Sequence, residues 1–134
     1  MYQRKIEQEL RCPLEYGINL LNGKWRSRII CMLENKKSLR FSEIKSNLIN
    51  VTDGVLATTL IEMTKMSLID KCDDVSNGIY EYRITEKGKS LIPILQSMCQ
   101  WASKYYSKSS EVVMTQCLDC KFYKNWKDIN NPIK

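Results

Sequence analysis

Six cysteines and no histidine define what chemistry this chain can offer. The absence of His removes the commonest general base, the Ser–His and Cys–His nucleophile pairs and the usual His-based metal sites. No other acid–base or nucleophile–base pairing is visible, so the chain does not read as an enzyme, and neither a cofactor nor a metal is expected. The N-terminal stretch MYQRKIEQEL is polar and unlike a signal peptide, and no apolar run approaches the roughly 18 residues of a membrane span. The expected location is the cytoplasm, where cysteines serve as thiols, metal ligands or redox sensors before they serve as a disulfide framework.

Cys12 is the thiol whose position carries most. It directly precedes Pro13, a residue favoured at the first helical position, so Cys12 falls at a helix N-cap behind Arg11. A helix N-terminus and a neighbouring cation both favour the anionic, reactive sulfur, while Glu15 in the first turn works against it. Cys31 lies among Ile29, Ile30 and Leu33, and Cys72 lies in an alternating segment; both read as small core or edge residues. The pair Cys117 and Cys120 forms a CxxC without the strand context of a thioredoxin-like site. A four-thiolate zinc site assembled from two copies, a disulfide with Cys12, and two ordinary cysteines on a docking helix remain open for it.

The formal charge is +6, unevenly spread. Residues 1–50 hold ten Lys/Arg against five acids, residues 51–85 three against six, and residues 86–134 eight against four. A basic chain suggests a polyanionic partner, yet the middle third has the opposite sign.

The elements that must position these groups follow from periodicity. With 134 residues, 43% of them hydrophobic and 27% charged, one soluble domain is expected. Leu14, Ile18 and Leu21 recur at helical spacing until Asn22-Gly23. Trp25, Ile29 and Leu33 mark a second helix, Lys36-Lys37-Ser38 a turn, and Leu39-Arg40-Phe41 a short extended piece. Ser42 is the expected cap of a helix to Leu48, and Thr52 that of a helix from Asp53 to about Met66, with Val55, Leu56, Leu60 and Met63 inward. The period then becomes two over Leu68–Val75 and Ile79–Ile84, with a hairpin turn at Ser76-Asn77-Gly78. Thr85 caps a long helix to about Tyr106, with Leu91, Leu95, Met98, Trp101 and Ala102 inward, and Pro93 predicts a bend or a late start. Trp25 reads as core as well. Ser107–Ser110 is a linker, after which Leu118, Phe122, Trp126 and Ile129 describe an extra amphipathic helix. Two helices joined by a turn and followed by a hairpin predict an α+β winged helix-turn-helix. Residues 1–106 would form it with its flanking helices, and residues 107–134 the linker and tail helix.

Local motifs carry a family resemblance. Cys12-Pro13-Leu14-Glu15, Gly23-Lys24-Trp25, Leu39-Arg40-Phe41-Ser42-Glu43-Ile44 and Tyr82-Arg83-Ile84-Thr85-Glu86-Lys87-Gly88 resemble, in order and spacing, the HxlR-type regulators, relatives of the MarR-like winged-helix transcription factors. The resemblance covers about residues 10 to 106. It implies a homodimer held by the first and last helices, with two recognition helices presented to successive major grooves of double-stranded DNA. It further implies that Cys12 senses redox state or a small reactive electrophile. Cys99, on the last helix near the implied seam, is then a candidate resolving thiol, as are Cys117 and Cys120.

The DNA-reading residues depart from that pattern. Where the family often has a cation this chain has Gly54, and Ile61 stands where a charged residue is common. No basic residue occurs between Lys45 and Lys65, so bidentate readout of guanine by Arg or Lys is not available from this helix. Thr52, Thr58 and Thr59 remain for base edges, phosphates and thymine methyls. Lys36, Lys37, Arg40 and Lys45 can clamp phosphates from the flanks, with Lys65 and Arg83 as further candidates. The wing tip Asp73-Asp74 is acidic. Two readings follow: a regulator with threonine-based readout, or a winged-helix dimer with weak DNA binding that works through a protein partner or ligand.

Overall fold

The computed structural model describes residues 12–74 and 79–105. The hairpin turn, the tail helix and Cys117 and Cys120 lie outside the described residues.

Cys12 is the extended N-cap of α1 (Pro13–Leu20), with Pro13 as its first residue. The chain then turns through Gly23, whose φ of 97° suits a residue without a Cβ. It enters α2 (Arg26–Glu34), whose Ile29, Ile30, Met32 and Leu33 are buried. After β1 (Leu39–Arg40) comes α3 (Phe41–Asn47). This helix begins before the expected Ser42, because Glu43 reaches back and accepts from the Arg40 amide at 2.8 Å. Thr52 caps α4 (Asp53–Lys65) as predicted, its hydroxyl oxygen accepting from Val55 N at 3.2 Å.

Strands β2 (Ile69–Asp74) and β3 (Ile79–Ile84) pair antiparallel, with Ile69 opposite Ile84 and Cys72 opposite Glu81. β1 adds to the other side of β3, giving the order β1-β3-β2. A hydrogen bond from the Ser38 hydroxyl to Glu81 pins the entry to β1. Leu39, Ile44, Leu56, Leu60, Met63, Leu68, Ile69 and Tyr82 close one core with the α2 residues. This is an α+β winged helix-turn-helix, with α3 and α4 as the helix pair and β2–β3 as the wing.

The expected long last helix is two pieces, α5 (Glu86–Lys89) and α6 (Ile92–Ala102), with Pro93 in the first turn of the second. Proline therefore enforces a late start. Two burial expectations fail here. Leu91 and Leu95 are the large side chains this segment buries, while Met98 and Trp101 turn outward, and Trp101 is 64% exposed against Tyr105. Val55 is likewise exposed on α4, because Leu56, Leu60 and Met63 already fill the inward stripe. Trp25 is half-buried against the core, with Lys24 and Arg28 over its ring at 4.8 and 5.1 Å.

The tightest junction joins the end of α4 to the start of α5. Ser67 takes a left-handed turn at φ 61°, and the Leu68 carbonyl then accepts from both the Thr85 amide and the Thr85 hydroxyl, at 3.1 and 3.0 Å. Gly88 packs directly on that carbonyl: a Cβ there would collide with Leu68 O and lie 2.7 Å from Ile84 Cγ1. Gly88→Ala is therefore expected to destabilise the domain by about 3 kcal/mol or more. The check is thermal unfolding, with a Tm about 10 °C lower or worse; an unchanged Tm would contradict the packing.

Candidate nucleic-acid interface and thiols

Helix α4 presents its reading surface because its inward stripe anchors it, leaving Thr52, Asp53, Gly54, Val55, Thr58 and Ile61 outside the core. A shallow open groove of about 580 Å³ runs along it, lined by Thr52, Gly54, Val55, Thr58, Thr59 and Glu62. At Thr52 the side-chain oxygen accepts the cap bond, which leaves its hydroxyl proton and a second lone pair for a base or phosphate. Thr58 is exposed. Thr59 is not available in the expected way: it is 8% exposed and its hydroxyl donates to the Val55 carbonyl at 2.8 Å. The i−4 back-bond settles that hydroxyl inside the helix instead of the groove.

The expected phosphate clamps are dispersed around this surface. Lys36 and Lys37 lie exposed in the turn after α2, Arg40 at the exposed edge of β1, and Lys65 in the last turn of α4. Lys45 bonds Asp53 at 2.7 Å, joining α3 to the start of α4; both groups are well exposed, so water screens the pair. Arg83 is engaged on the wing. Its Nε and Nη2 donate to the Cys72 sulfur at 3.2 and 2.8 Å. The Cys72 hydrogen bond first, then the charge of Cys72 and of Glu81 and Asp70, raise the Arg83 pKa above its ordinary value.

Other ties on this surface join residues far apart in sequence. Arg26 bonds Glu62 at 3.3 Å, which matches the acid on the groove with a cation from α2. Lys87 donates to Tyr16 Oη at 3.1 Å and to the Met66 carbonyl at 2.9 Å. Their separations of 36, 71 and 21 residues left no local signal to read. The Cys72–Arg83 contact had one: the two residues are diagonal neighbours on one face of the hairpin register.

Among the thiols, Cys12 is exposed at the N-cap of α1 and makes no side-chain cap bond. Cys99 is exposed on α6, Cys31 is half-buried against the core, and Cys72 is half-buried beside Arg83. None of these four is in a disulfide. Among the described residues no cluster of three or more His, Cys, Asp or Glu is placed to hold a metal, and no helix is long and apolar enough to cross a membrane.

Comparison with known proteins agrees with this architecture. The model of the HxlR-like helix-turn-helix family matches residues 20–110. A protein of Methanothermobacter thermautotrophicus, described as an uncharacterized HTH-type transcriptional regulator, is 40% identical over 103 residues, covering 75% of this chain and 77% of its own length. The reduced form of the Bacillus subtilis transcriptional regulator YodB superposes with a TM-score of 0.67 at 26% identity, over 75% of this chain and all of that one. The quinone-bound form of YodB gives 0.62 at 28% identity, over 71% of this chain and all of that one.

Gly54 offers a direct test of the charge deficit. It lies in the first turn of α4, and a Cβ added to it meets nothing within 4 Å. Gly54→Lys is expected to steepen the dependence of log K on log salt by about 0.9 for any duplex, one phosphate contact's worth. It should also stabilise the helix by up to about 1 kcal/mol, since glycine is a poor helix former. Fluorescence anisotropy across a salt series checks the first effect and thermal unfolding the second. An unchanged salt slope would show that α4 does not face the backbone.

Proposed function

Because the chain belongs to the HxlR-like helix-turn-helix family, we propose that this transcriptional regulator works as a homodimer that binds double-stranded DNA and answers to thiol chemistry at Cys12. Regulators of this family are not enzymes, and the reading gives the chain no catalytic residue. In it, Thr52 and Thr58 touch base edges and thymine methyls, and Lys36, Lys37, Arg40, Lys45 and Lys65 hold phosphates. Arg83 joins them when it leaves Cys72. Thr59 supports the helix from within. Residues 1–106 form the regulatory domain, and residues 107–134 are an appended segment.

The dimer reading is supported by apolar residues left uncovered on the two helices that flank the core. Leu14 and Ile18 on α1 are 70% and 61% exposed, and Ile94, Met98 and Trp101 on α6 are similarly bare. Exposed apolar rows of this kind mark interaction surfaces.

The sensor reading rests on a single observation: an exposed thiol at the N-cap of a helix that carries one of those rows. YodB, solved both reduced and quinone-bound, supports such chemistry as a property of a relative with this fold. With diamide as oxidant, Cys12 and a second thiol form a disulfide; the two sulfurs give up two protons and two electrons, and diamide is reduced to its hydrazine. Cys99, Cys117 and Cys120 are the candidate second thiols. The linkage pulls on α1 and shifts the two reading helices between arrangements that differ in fit to DNA.

A second reading is favoured by the composition of the groove, which holds no cation and includes exposed Val55. Here the dimer binds a protein or apolar ligand instead. Salt separates the two. Binding to a duplex from upstream of the protein's own gene should weaken steeply with salt and exceed binding to an unrelated duplex of equal length. Salt-indifferent or unselective binding would favour the partner reading.

Cys12→Ser tests the sensor. Serine is a good N-cap, so stability should hold. The variant is expected to bind the upstream duplex as the reduced parent does and to keep that affinity after diamide, whereas the parent changes by about tenfold. If the variant responds as the parent does, Cys12 is not the sensor. Peptide mass mapping of the oxidised parent identifies the second thiol.

A further inference from the structure

Helix α1 has little apolar anchorage of its own. Leu20 is its one buried residue, and Leu14, Tyr16 and Ile18 face outward. Among the described residues it is also held by polar ties, two of which reach the reading helix.

The stronger is Arg26. Its Nη1 donates to the carbonyls of Asn19 and Leu20 at 3.1 and 3.3 Å, and its Nη2 to Glu62 of α4 at 3.3 Å. Asn19 and Leu20 are the last two residues of α1, whose carbonyls lie at the negative end of its dipole; that of Asn19 also accepts from the Asn22 amide at 3.2 Å. A planar guanidinium serves both sides at once, which a lysine ammonium cannot do in the same geometry. The Arg26 side chain is only 12% exposed, so solvent weakens this tie far less than a surface pair. The weaker tie is Lys87, exposed at α5, which joins Tyr16 of α1 to the Met66 carbonyl at the C-cap of α4.

We propose that Arg26 is the positioning residue that fixes the angle between α1 and the reading helix, with Lys87 as a secondary tie, and that it thereby sets the separation of the two DNA half-sites. The proposal rests on the dimer reading above, in which α1 forms part of the seam. Once two copies meet through α1, the distance between their reading helices depends on how α4 is held against α1. Glu62 lies ten residues from Thr52, so the lever from the tie to the reading end is about 15 Å. On that lever a tilt of about 13° moves the reading end by about 3.4 Å, the rise of one base pair.

The test is selection from a random-sequence duplex pool with the full, reduced chain at fixed salt. The parent should select paired half-sites at one separation, about one helical turn or a multiple of it. Arg26→Gln should keep the base identities within each half-site but spread the separation by one or two base pairs. It should also weaken binding to the parent's best paired site by about tenfold. Arg26→Lys should fall between the two, and Lys87→Met should spread the separation less. A variant that is merely less stable loses active protein without changing the spacing, so the spacing is the decisive readout. Should Arg26→Gln fail to fold, Arg26→Lys and Lys87→Met carry the same comparison. Paired sites with unchanged spacing in folded variants would overturn the positioning role alone. A parent pool without paired half-sites would overturn the dimer reading, and the positioning role with it.

Discussion

One carbonyl oxygen, that of Leu68, is where the reading helix, the wing and the last helices meet. Thr85 donates to it twice, from its amide and its hydroxyl, and the same hydroxyl also bonds the Ser67 carbonyl at 2.6 Å. The Thr85 side-chain oxygen meanwhile caps α5 by accepting from Gly88 N at 3.0 Å. Three backbone groups, the carbonyls of Ser67 and Leu68 and the amide of Gly88, are thus satisfied by one threonine, in a space that only a glycine at position 88 leaves open. The Ser67 turn and the Thr85 cap place the end of α4 against the base of the wing, so the two parts expected to meet DNA are joined directly. This gives a physical reason for the run Tyr82-Arg83-Ile84-Thr85-Glu86-Lys87-Gly88. Tyr82 and Ile84 face the core, Thr85 and Gly88 form the junction, and Lys87 reaches across to Met66.

The same junction bears on the charge puzzle in the sequence. Residues 51–85 carry twice as many acids as cations, which reads as the wrong sign for a DNA-binding surface. In three dimensions much of that charge is matched. Asp53 is paired with Lys45, and Glu62 with Arg26, both cations coming from the basic first segment. Glu81 accepts from Ser38 and, with Asp70, lies near Arg83. The fold brings the N-terminal excess of cations to the acids of the middle, so linear charge counts overstate the repulsion a phosphate would meet. The matching has a cost, because cations held in these pairs are less available to DNA. The two effects oppose each other, and a pair as exposed as Lys45–Asp53 is weak enough to yield to a phosphate.

What was legible in the sequence follows the range over which each signal acts. Capping and periodicity are local, so Cys12-Pro13, Thr52 and Thr85 marked helix starts correctly, and the change to period two marked the wing. Helix α3 begins earlier than Ser42 suggests, because Glu43 supplies the capping bond from inside the helix. Amphipathicity identified helices but misjudged which apolar residues turn inward: a helix pattern gives a face, and the number of core positions available decides how much of it is covered. Met98 and Trp101 failed for that reason. For the site, exposure of Thr52 and Thr58 was readable from the phase of α4, whereas the inward turn of Thr59 required knowing where the core lay. The Arg26 and Lys87 ties depend on chain segments meeting across the fold, and nothing in spacing along the chain encodes them.

Those long-range ties bear on how a helix can be both part of an interface and part of a switch. A helix buried by a full apolar stripe is held in one place by many contacts that fail together. Among the described residues, helix α1 has one buried leucine and several directional hydrogen bonds, each modest in net free energy. Such an element has a low cost of local displacement, the property required of segments that change arrangement. Its polar ties through Arg26 and Lys87 also end on α4, which is the connection the proposed positioning role requires. Cys12 at the first end of α1 and the Arg26 bonds at its last are the two points at which a proposed thiol signal would enter and leave this helix. Stronger apolar packing would make α1 more stable and less able to carry that role.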